Sequence, residues 1–268
     1  MSYKKRELLG VIPENRIKTM DVERPSQSVI NDFLKIQDMS GSTARVLEIL
    51  GYESAIPSST LKPLIEGKKI VGPAITVRDV PTRISRYYGI VTGTPSYQKG
   101  EVEAYYIAEP GDVIVIDAGG QSGASSMGSM SAFEGKSRGM AGSIVDGWCT
   151  GVPEIRKTDY PVWCRGGTTK TGHHRLETVE INGVIQCGGV QVQPGDLIVA
   201  DDTGIAVVPQ ESIEKVIDIV KLSKKRTKEK DLIKSGANPS DIGREVAKHG
   251  RDDKFLSLLK ESKKGKNQ

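Results

Sequence analysis

The stretch VIVIDAGGQSGASSMGSMSAFEGKSRGMAGSIVDGWCTGVPEI, residues 113–155, decides the fold class of this chain. It starts with a short apolar run that ends in Asp117, continues through paired glycines and a helix-like segment, and reaches a second apolar run that ends in Asp146. Two buried strands separated by a helical crossover predict a parallel pair in an α/β domain. Because ligands usually bind at the carboxyl ends of such strands, the segments after Asp117 and Asp146 are candidate parts of a site.

The neighbouring segments predict more strands. The run IVGPAITV (70–77) predicts a strand that Gly72-Pro73 interrupts, and YPVWCRG (160–166) predicts a third parallel strand after a short helix. Beyond this third strand, Asn182-Gly183 is typical of a hairpin, and Pro194-Gly195-Asp196 is typical of another turn. The second half of the core is therefore predicted to be rich in strands and antiparallel.

Apolar residues at helical spacing predict helices in 26–37 and 42–52 and an amphipathic helix in 210–226. Residues 79–100 have no regular period, so we expect a long loop or an insertion there. The expected organisation has three parts: an N-terminal arm (1–25), an α/β domain (26–225) and a helical, charged C-terminal extension (226–268).

The composition argues against several classes of protein. The 268 residues carry a formal net charge of +4, which is too weak to indicate a nucleic-acid partner. No run approaches the roughly 20 apolar residues of a membrane helix, and the N-terminal residues lack the apolar core of a signal peptide. Three cysteines, an odd number without metal-ligand spacing, indicate reduced thiols. We therefore expect a cytoplasmic protein with no membrane and no nucleic-acid partner.

The loop after the first strand is the main candidate for ligand binding. Successive backbone N–H groups, followed by a helix that we expect to start near Ala124, form an anion site without a basic side chain. Ser122 or Ser125 would cap that helix and also reach the ligand. The alternative is a tight strand-to-helix connection in which the glycines serve only steric needs. The loop residues that would bind a ligand are Gly119, Gly120, Gln121, Ser122, Gly123 and Ala124.

Four other features have the chemistry of a site, and each has a structural alternative. Asp146 would orient a ligand, hold a metal through water, or cap its turn. Cys149 has no evident base and is more typical of a small apolar residue than of a nucleophile. The pair His173-His174 lies in a Gly/Thr-rich loop, and no second cluster completes a metal site. The pair Asp201-Asp202 would bind a cation or shape a turn.

Taken in order, the motifs resemble one known family over about residues 40–210. The segments are LKPLIEGKKIVGPAITVR (61–78), EPGDVIVIDAGG (109–120), GMAGSIVDG (139–147), YPVWCRG (160–166) and CGGVQVQPGDLIVADDTGIAVVP (187–209). They resemble the family that joins the regulator of ribonuclease E activity A (RraA) to the class II pyruvate aldolases acting on 4-hydroxy-4-methyl-2-oxoglutarate. The resemblance implies a swivelling-domain-like α/β sandwich with mixed sheets, assembled as a homotrimer or homohexamer.

For the aldolases, the resemblance implies a site between protomers in which the glycine loop binds the carboxylate of a pyruvyl unit. An arginine after the Asp-Gly turn polarises the keto group, and the next residue, an aspartate, holds a divalent metal (magnesium or manganese) that stabilises the enolate. These two positions correspond to Thr150 and Gly151 here. Threonine has no positive charge and glycine has no side-chain ligand, so the usual pair is missing. Arg78, Arg83 and Arg86 are candidates for a displaced positive charge.

Two functions stay open at this point. The first is a lyase-type enzyme, similar to a 4-hydroxy-2-oxo acid aldolase or an oxaloacetate decarboxylase. It would bind a small oxo- or hydroxy-carboxylate at the glycine loop and Thr150, with magnesium or manganese held by Asp146. The second is a non-catalytic RraA-type regulator that binds a protein partner of RNA processing. Thr203, in ADDTG, resembles the regulator's version of that segment.

Overall fold

A computed structural model describes residues 8–94, 100–120, 123–222 and 227–249. The strands are β1 (Ala55–Pro57), β2 (Lys62–Pro63), β3 (Ile70–Pro81), β4 (Val113–Asp117), β5 (Ser125–Met127), β6 (Gly142–Cys149), β7 (Val162–Gly167), β8 (Leu176–Ile181), β9 (Ile185–Cys187), β10 (Val190–Val192), β11 (Leu197–Asp201) and β12 (Gly204–Val208). The α-helices are α1 (Gln27–Leu34), α2 (Met39–Leu50), α3 (Arg86–Thr92), α4 (Gly100–Ile107), α5 (Ser129–Ser137), α6 (Val152–Thr158), α7 (Ile213–Leu222), α8 (Thr227–Lys234) and α9 (Pro239–His249).

The main sheet consists of a parallel half and an antiparallel half that β3 joins. The spatial order is β1-β12-β11-β3-β4-β6-β7-β2, with β5 beside β6 and β8 beside β3. Strands β3, β4, β6 and β7 run parallel, whereas β11 runs antiparallel to both β3 and β12. This mixed architecture, with helices packed on it, confirms the predicted α/β fold class.

Apolar layers hold the two halves and their helices together. One buried cluster lies between the parallel strands and helices α4 to α6, and a second lies between the antiparallel strands and helices α1, α2 and α7. A third fills the space between the halves, where Val115 and Trp163 lie with Ile198 and Val207. Alternate side chains of each strand therefore point into different layers, as strand geometry requires.

Strand β3 continues through Gly72-Pro73, where the sequence predicted an interruption. Residues 70–73 pair with β11, and residues 74–78 pair with β4 on the other edge. Only glycine fits at position 72, because a Cβ there would lie 2.1 Å from the carbonyl oxygen of Gly111. The Gly-Pro step thus marks the point where the strand changes partners, and it does not end the strand.

The prediction of a long loop over 79–100 is also wrong for the described part of that range. Strand β3 extends to Pro81, and α3 follows from Arg86 to Thr92. Its first turn is capped by Ser85, whose Oγ accepts a hydrogen bond from the N–H of Tyr88 at 3.2 Å. A capped helix of seven residues, about two turns, is too short to show a helical period, so the pattern missed it.

The Asn182-Gly183 turn does not form the predicted hairpin. It connects β8, which pairs with β3, to β9, which pairs antiparallel with β10. The observed hairpin turns instead at Gly188-Gly189, between β9 and β10. Turn residues report the local chain reversal, whereas the pairing partner is chosen by packing across the whole domain.

The two ends of the chain differ in how they attach. Ile12 and Val22, in the expected arm, are buried and belong to the same cluster as the parallel strands. Helices α8 and α9 pack on each other, and residues 250–268 lie outside the described part of the chain. Among the described helices, none combines the length and apolar character needed to cross a bilayer.

Candidate functional site

Four charged side chains form a row across the carboxyl ends of the parallel strands. Arg78 of β3 lies opposite Asp117 of β4, and Asp117 lies opposite Asp146 of β6. The pairing of Val145 with Cys164 brings the next residue of β7, Arg165, beside Asp146. The row therefore reads positive, negative, negative, positive along one face of the sheet.

Each carboxylate in this row is paired with the arginine beside it. Nε of Arg165 donates to Oδ1 of Asp146 at 2.6 Å, and Asp146 is only 2% exposed. Nε of Arg78 lies 3.6 Å from Oδ2 of Asp117. A buried carboxylate such as Asp146 is tolerated only when a cation and hydrogen-bond donors compensate for its lost hydration.

Strand β9 and the turn after it supply further donors to the row. The N–H of Gln186 donates to Oδ2 of Asp117 at 3.2 Å, and the N–H of Gly188 donates to Oδ2 of Asp146 at 2.7 Å. Both oxygens of Asp146 are therefore engaged within the protein. This arrangement favours the positioning role over the metal-binding role among those that the sequence left open for this residue.

The glycine loop sits over the same row, and two of its amides are already used. The N–H of Gly119 bonds to Oδ1 of Asp117 at 2.9 Å, and the N–H of Gly120 bonds to the carbonyl oxygen of Asp146 at 3.0 Å. Among the described residues, no acceptor is recorded for the N–H groups of Gly123 and Ala124. The predicted ligand residues Gln121 and Ser122 lie outside the described part of the chain.

Arg165 was not predicted as a site residue, yet its guanidinium packs directly on the glycine loop. A Cβ at Gly120 would lie 2.5 Å from Cζ and from Nε of Arg165, so only glycine allows this contact. The side chain of Arg165 is 32% exposed. The sequence signal was present in YPVWCRG, since an arginine that ends a buried parallel strand belongs to the ligand-binding edge of the sheet. None of the three arginines that the sequence suggested occupies this position beside Gly120.

The segment after the loop is a strand and not the predicted start of a helix. Residues Ser125–Met127 form β5 beside β6, and α5 begins only at Ser129. The hydroxyl of Ser125 donates to the carbonyl oxygen of Met127 at 2.7 Å, so this serine caps no helix. The small residues allowed a short strand to insert against β6, a tertiary pairing that local pattern does not reveal.

Thr150 and Gly151, at the end of β6, pack against the segment that follows the glycine loop. The N–H of Thr150 donates to the carbonyl oxygen of Met127 at 3.0 Å, and its hydroxyl lies 3.2 Å from that of Ser125. Gly151 has φ of +68°, and a Cβ there would lie 2.9 Å from Oγ of Ser129. A longer side chain at 151 would therefore crowd Ser129 and would also strain the left-handed backbone.

These contacts show whether the side chains at the end of β6 can serve as ligands of a divalent metal. Magnesium and manganese take oxygen ligands, and magnesium is usually held by one or two carboxylates together with water. Asp146 has both oxygens bonded, Gly151 has no donor, and Thr150 shares its hydroxyl with Ser125. No cluster of three or more potential metal-binding side chains occurs in the described ranges. The residues at this position do not fit the family's metal.

The other candidate residues have structural contacts. A hydrogen bond with Cys164, in which the Cys149 thiol keeps its proton, and burial raise the pKa of Cys149, which makes it a poor nucleophile. Asp201 accepts from the N–H and hydroxyl of Ser40 at the start of α2, and Asp202 accepts from the N–H of Gly67. The rings of His173 and His174 contact each other, with centroids 4.2 Å apart.

Known proteins share this architecture. A relative from Halalkalibacterium halodurans, named "Putative 4-hydroxy-4-methyl-2-oxoglutarate aldolase", is 37% identical over 164 residues, which cover 61% of this chain and 71% of that protein. Protein DlpA of Legionella pneumophila is 30% identical over 221 residues, which cover 80% of this chain but 33% of DlpA, so the chain spans about a third of that relative.

A solved structure and a family model agree with these relatives. RraAS2 of Streptomyces coelicolor, described as an unusual member of the RNase ES inhibitor RraA protein family, superposes with a TM-score of 0.62 at 29% identity. The alignment covers 74% of this chain and 92% of that structure. The family model described as RraA-like, Aldolase/RraA, matches residues 36–207. This match extends over more than half of the chain, which therefore belongs to the RraA-like family.

Proposed function

We propose that this protein is a lyase-type enzyme that acts on a small oxo- or hydroxy-carboxylate of the 4-hydroxy-2-oxo acid class. The relative from Halalkalibacterium halodurans has a name of that class, and this chain has the glycine loop at the carboxyl edge of its parallel strands. The ligand's carboxylate would bind the amides of Gly123 and Ala124, with the described part of the loop and Thr150 around it.

One observation supports this proposal above the others, namely the guanidinium of Arg165 against Gly120. Cleavage of a 4-hydroxy-2-oxo acid breaks the C3–C4 bond, and the electron pair moves to the 2-oxo oxygen as an enolate. The 4-hydroxyl proton leaves as the aldehyde or ketone forms, and C3 later takes up a proton to give pyruvate or its homologue. A fixed cation next to the developing enolate lowers the barrier, and arginine stays charged at any working pH.

A coupled assay tests this function directly. Purified protein is mixed with a panel of 4-hydroxy-2-oxo acids and oxaloacetate, with and without magnesium, and lactate dehydrogenase reports pyruvate. We expect pyruvate from at least one substrate and a loss on the order of 100-fold in Arg165→Gln, the usual scale for removal of one preorganised group that stabilises an oxyanion. Absence of pyruvate across the panel, with a folded protein, would remove the aldolase and decarboxylase activities.

A second function, an RraA-type regulator that binds a protein partner of RNA processing, has one observation in its favour. Thr150 and Gly151 replace the arginine and aspartate that the aldolases use, while the fold is retained. The discriminating experiment adds the protein to a ribonuclease E-type enzyme and measures RNA cleavage. Inhibition by a protein that releases no pyruvate would favour the regulator, and pyruvate release without inhibition would favour the lyase.

A further inference from the structure

We infer that this site binds its carboxylate ligand without a divalent metal, because Arg165, oriented by Asp146, supplies the positive charge. The inference rests on the proposed function, since it concerns the same ligand at the same loop. It goes further in naming the group that recognises the ligand and the residue that positions this group. The argument has three steps, which concern the donors available to a metal, the orientation of the guanidinium and the shape of the ligand.

The first step is the shortage of metal ligands at the end of β6. Asp146 is committed to Arg165 and to the N–H of Gly188. Gly151 offers no side-chain ligand, and a side chain there would crowd Ser129, whose Oγ lies 2.9 Å from the place of a Cβ. An anionic ligand that leaves water needs an opposite charge or directed donors in place of its hydration, and a positively charged side chain supplies both.

The second step is the orientation of Arg165. Nε of Arg165 donates to Asp146, so the side of the guanidinium that carries Nε points at this carboxylate. Gly120 lies against the flat face of the same guanidinium. Within the described ranges, no hydrogen bond from Nη1 or Nη2 of Arg165 is recorded. The edge formed by Nη1 and Nη2 is thus held in place and can donate two hydrogen bonds to a ligand. Asp146 makes no contact of its own with the ligand. Asp146 is a positioning residue.

The third step is the class of ligand that this edge selects. Two parallel N–H donors of a guanidinium match two neighbouring oxygens, such as the 2-oxo oxygen and one carboxylate oxygen of the ligand, a geometry that lysine cannot reproduce. The amides of Gly123 and Ala124 lie in the same loop as Gly120. The site therefore fits a short, planar acid with two adjacent oxygen functions, as in a 2-oxo acid. Oxalate has this shape, resembles an enolised pyruvate and is the probe of choice.

Titration calorimetry with oxalate tests the inference on the full chain. The protein is stripped with EDTA, titrated with oxalate, and titrated again after addition of magnesium or manganese. We expect the same dissociation constant in all three conditions once the oxalate that the added metal chelates in solution is subtracted from the free concentration. Arg165→Gln should weaken binding on the order of 30-fold, the scale of a lost charge-assisted pair of hydrogen bonds. Arg165→Lys should recover only part of this loss because the fork is missing.

Controls separate recognition from a general loss of structure. Arg138→Gln is the matched variant, because Arg138 also donates through Nε to a carboxylate, that of Glu134 at 3.1 Å, on a helix outside the row. It should bind oxalate like the parent protein. Arg165→Ala should regain binding when guanidinium or methylguanidinium ions are added below denaturing concentrations. A residue with only a structural role would not show that rescue. Asp146→Asn should weaken binding and also reduce the rescue.

The outcomes distinguish this inference from the function on which it rests. Oxalate binding that appears only with magnesium or manganese overturns the metal-free site but leaves the lyase proposal standing. Unchanged binding in Arg165→Gln likewise overturns the role of Arg165. Failure of oxalate and pyruvate to bind under any condition contradicts the proposed function itself. Equal affinity with and without metal, together with the loss in Arg165→Gln, supports both.

Discussion

Because Gly120 has no side chain, the guanidinium of Arg165 can pack directly on its backbone. Gly120 has φ of +62°, and its missing Cβ leaves the space that the guanidinium fills. Each of the two paired glycines is therefore required for its own physical reason. Gly119 turns the chain, and Gly120 both turns it and admits a cation to within contact of the loop.

The variant Gly120→Ala should lose oxalate binding, because the new methyl group displaces the guanidinium. Gly93→Ala is the control for backbone strain, since Gly93 has a similar φ of +66° and open space around its Cβ position. Both variants should lose about 1 kcal/mol or somewhat more of stability from the left-handed backbone. Calorimetry on the two proteins checks the difference, and equal affinities would refute the steric role of Gly120.

The variant Gly123→Asp should abolish binding of small acids without unfolding the protein. Gly123 has φ of +61° and nothing within 4 Å of its Cβ position, and aspartate tolerates this conformation better than most residues. The added carboxylate would repel an anionic ligand at the loop. Gly123→Asn has nearly the same size without the charge and should bind more tightly than the aspartate variant. Unchanged affinity in Gly123→Asp would exclude the loop from the site.

Asp79 is a buried carboxyl group that should make stability depend on pH. Burial raises its pKa to about 7, and the nearby Asp117 adds to the rise, while a hydrogen bond from Thr178 at 2.7 Å opposes it. In the unfolded chain the group titrates near 3.8. Between these values the folded state holds a proton that the unfolded state has lost, so stability falls as pH rises through this window.

The variant Asp79→Asn should remove this dependence. The parent protein should lose up to about 1.4 kcal/mol of unfolding free energy per pH unit between roughly pH 4 and 7 from this group, with no further loss above. The variant should therefore be the more stable protein near pH 8 and show no such advantage near pH 4. Urea unfolding at several pH values measures this. Parallel curves for the two proteins would show that Asp79 does not titrate in this range.

At the scale of elements, helix α4 is held from several sides. The carboxylate of Glu103 accepts hydrogen bonds from the N–H groups of Leu9, Gly10 and Val11 at 2.7, 3.3 and 3.0 Å. The N–H of Gly100, at the other end of the first turn, donates to Thr178 on β8 at 3.1 Å. Residues 9–11 of the arm therefore attach to α4 through one side chain, next to the core contacts that Ile12 makes.

The variant Glu103→Ala should release this part of the arm. It leaves three backbone donors without their acceptor, which should lower the free energy of unfolding on the order of 2 kcal/mol. Limited proteolysis should then cut near residues 8–11 at rates that the parent protein does not show. Glu154→Ala, an exposed carboxylate paired with Lys157, is the control and should leave both readouts unchanged. Equal protease resistance in Glu103→Ala would contradict the role of this contact.

At the scale of the whole molecule, two helices present apolar side chains that a single chain leaves uncovered. Tyr87 on α3 is 79% exposed and Met130 on α5 is 76% exposed. Exposed apolar surface of this kind often marks contacts between subunits. Ser129, the neighbour of Met130, contacts the Cβ position of Gly151, so this surface begins next to the candidate site.

We predict that the protein assembles as a homotrimer or a homohexamer through such surfaces. Light scattering after size-exclusion chromatography should give three or six times the chain mass of 29.0 kDa. Met130→Glu should shift the mass towards that of one chain, because a charge in an apolar interface is costly to desolvate. Glu154→Ala should keep the parent mass. A single-chain mass for the parent protein would contradict the prediction.

The sequence by itself determined the central strands β4, β6 and β7, their parallel arrangement and the family. The apolar runs that end in Asp117 and Asp146 predicted β4 and β6, because burial on both faces demands a continuous apolar stretch. The order of the motifs indicated the RraA-like family, which the family model confirms. The same local reasoning placed the ligand loop after β4, which stays a prediction.

Only the tertiary structure decided which groups meet at the strand ends. Asp146 pairs with Arg165, 19 positions along the chain, and with Gly188, 42 positions along. Local periodicity reports whether a residue is buried, but it holds no information on strand register or on the packing of β9 over the sheet. Strand register and the packing of β9 depend on contacts between distant segments. They place charged residues that are far apart in the sequence next to each other as ion pairs.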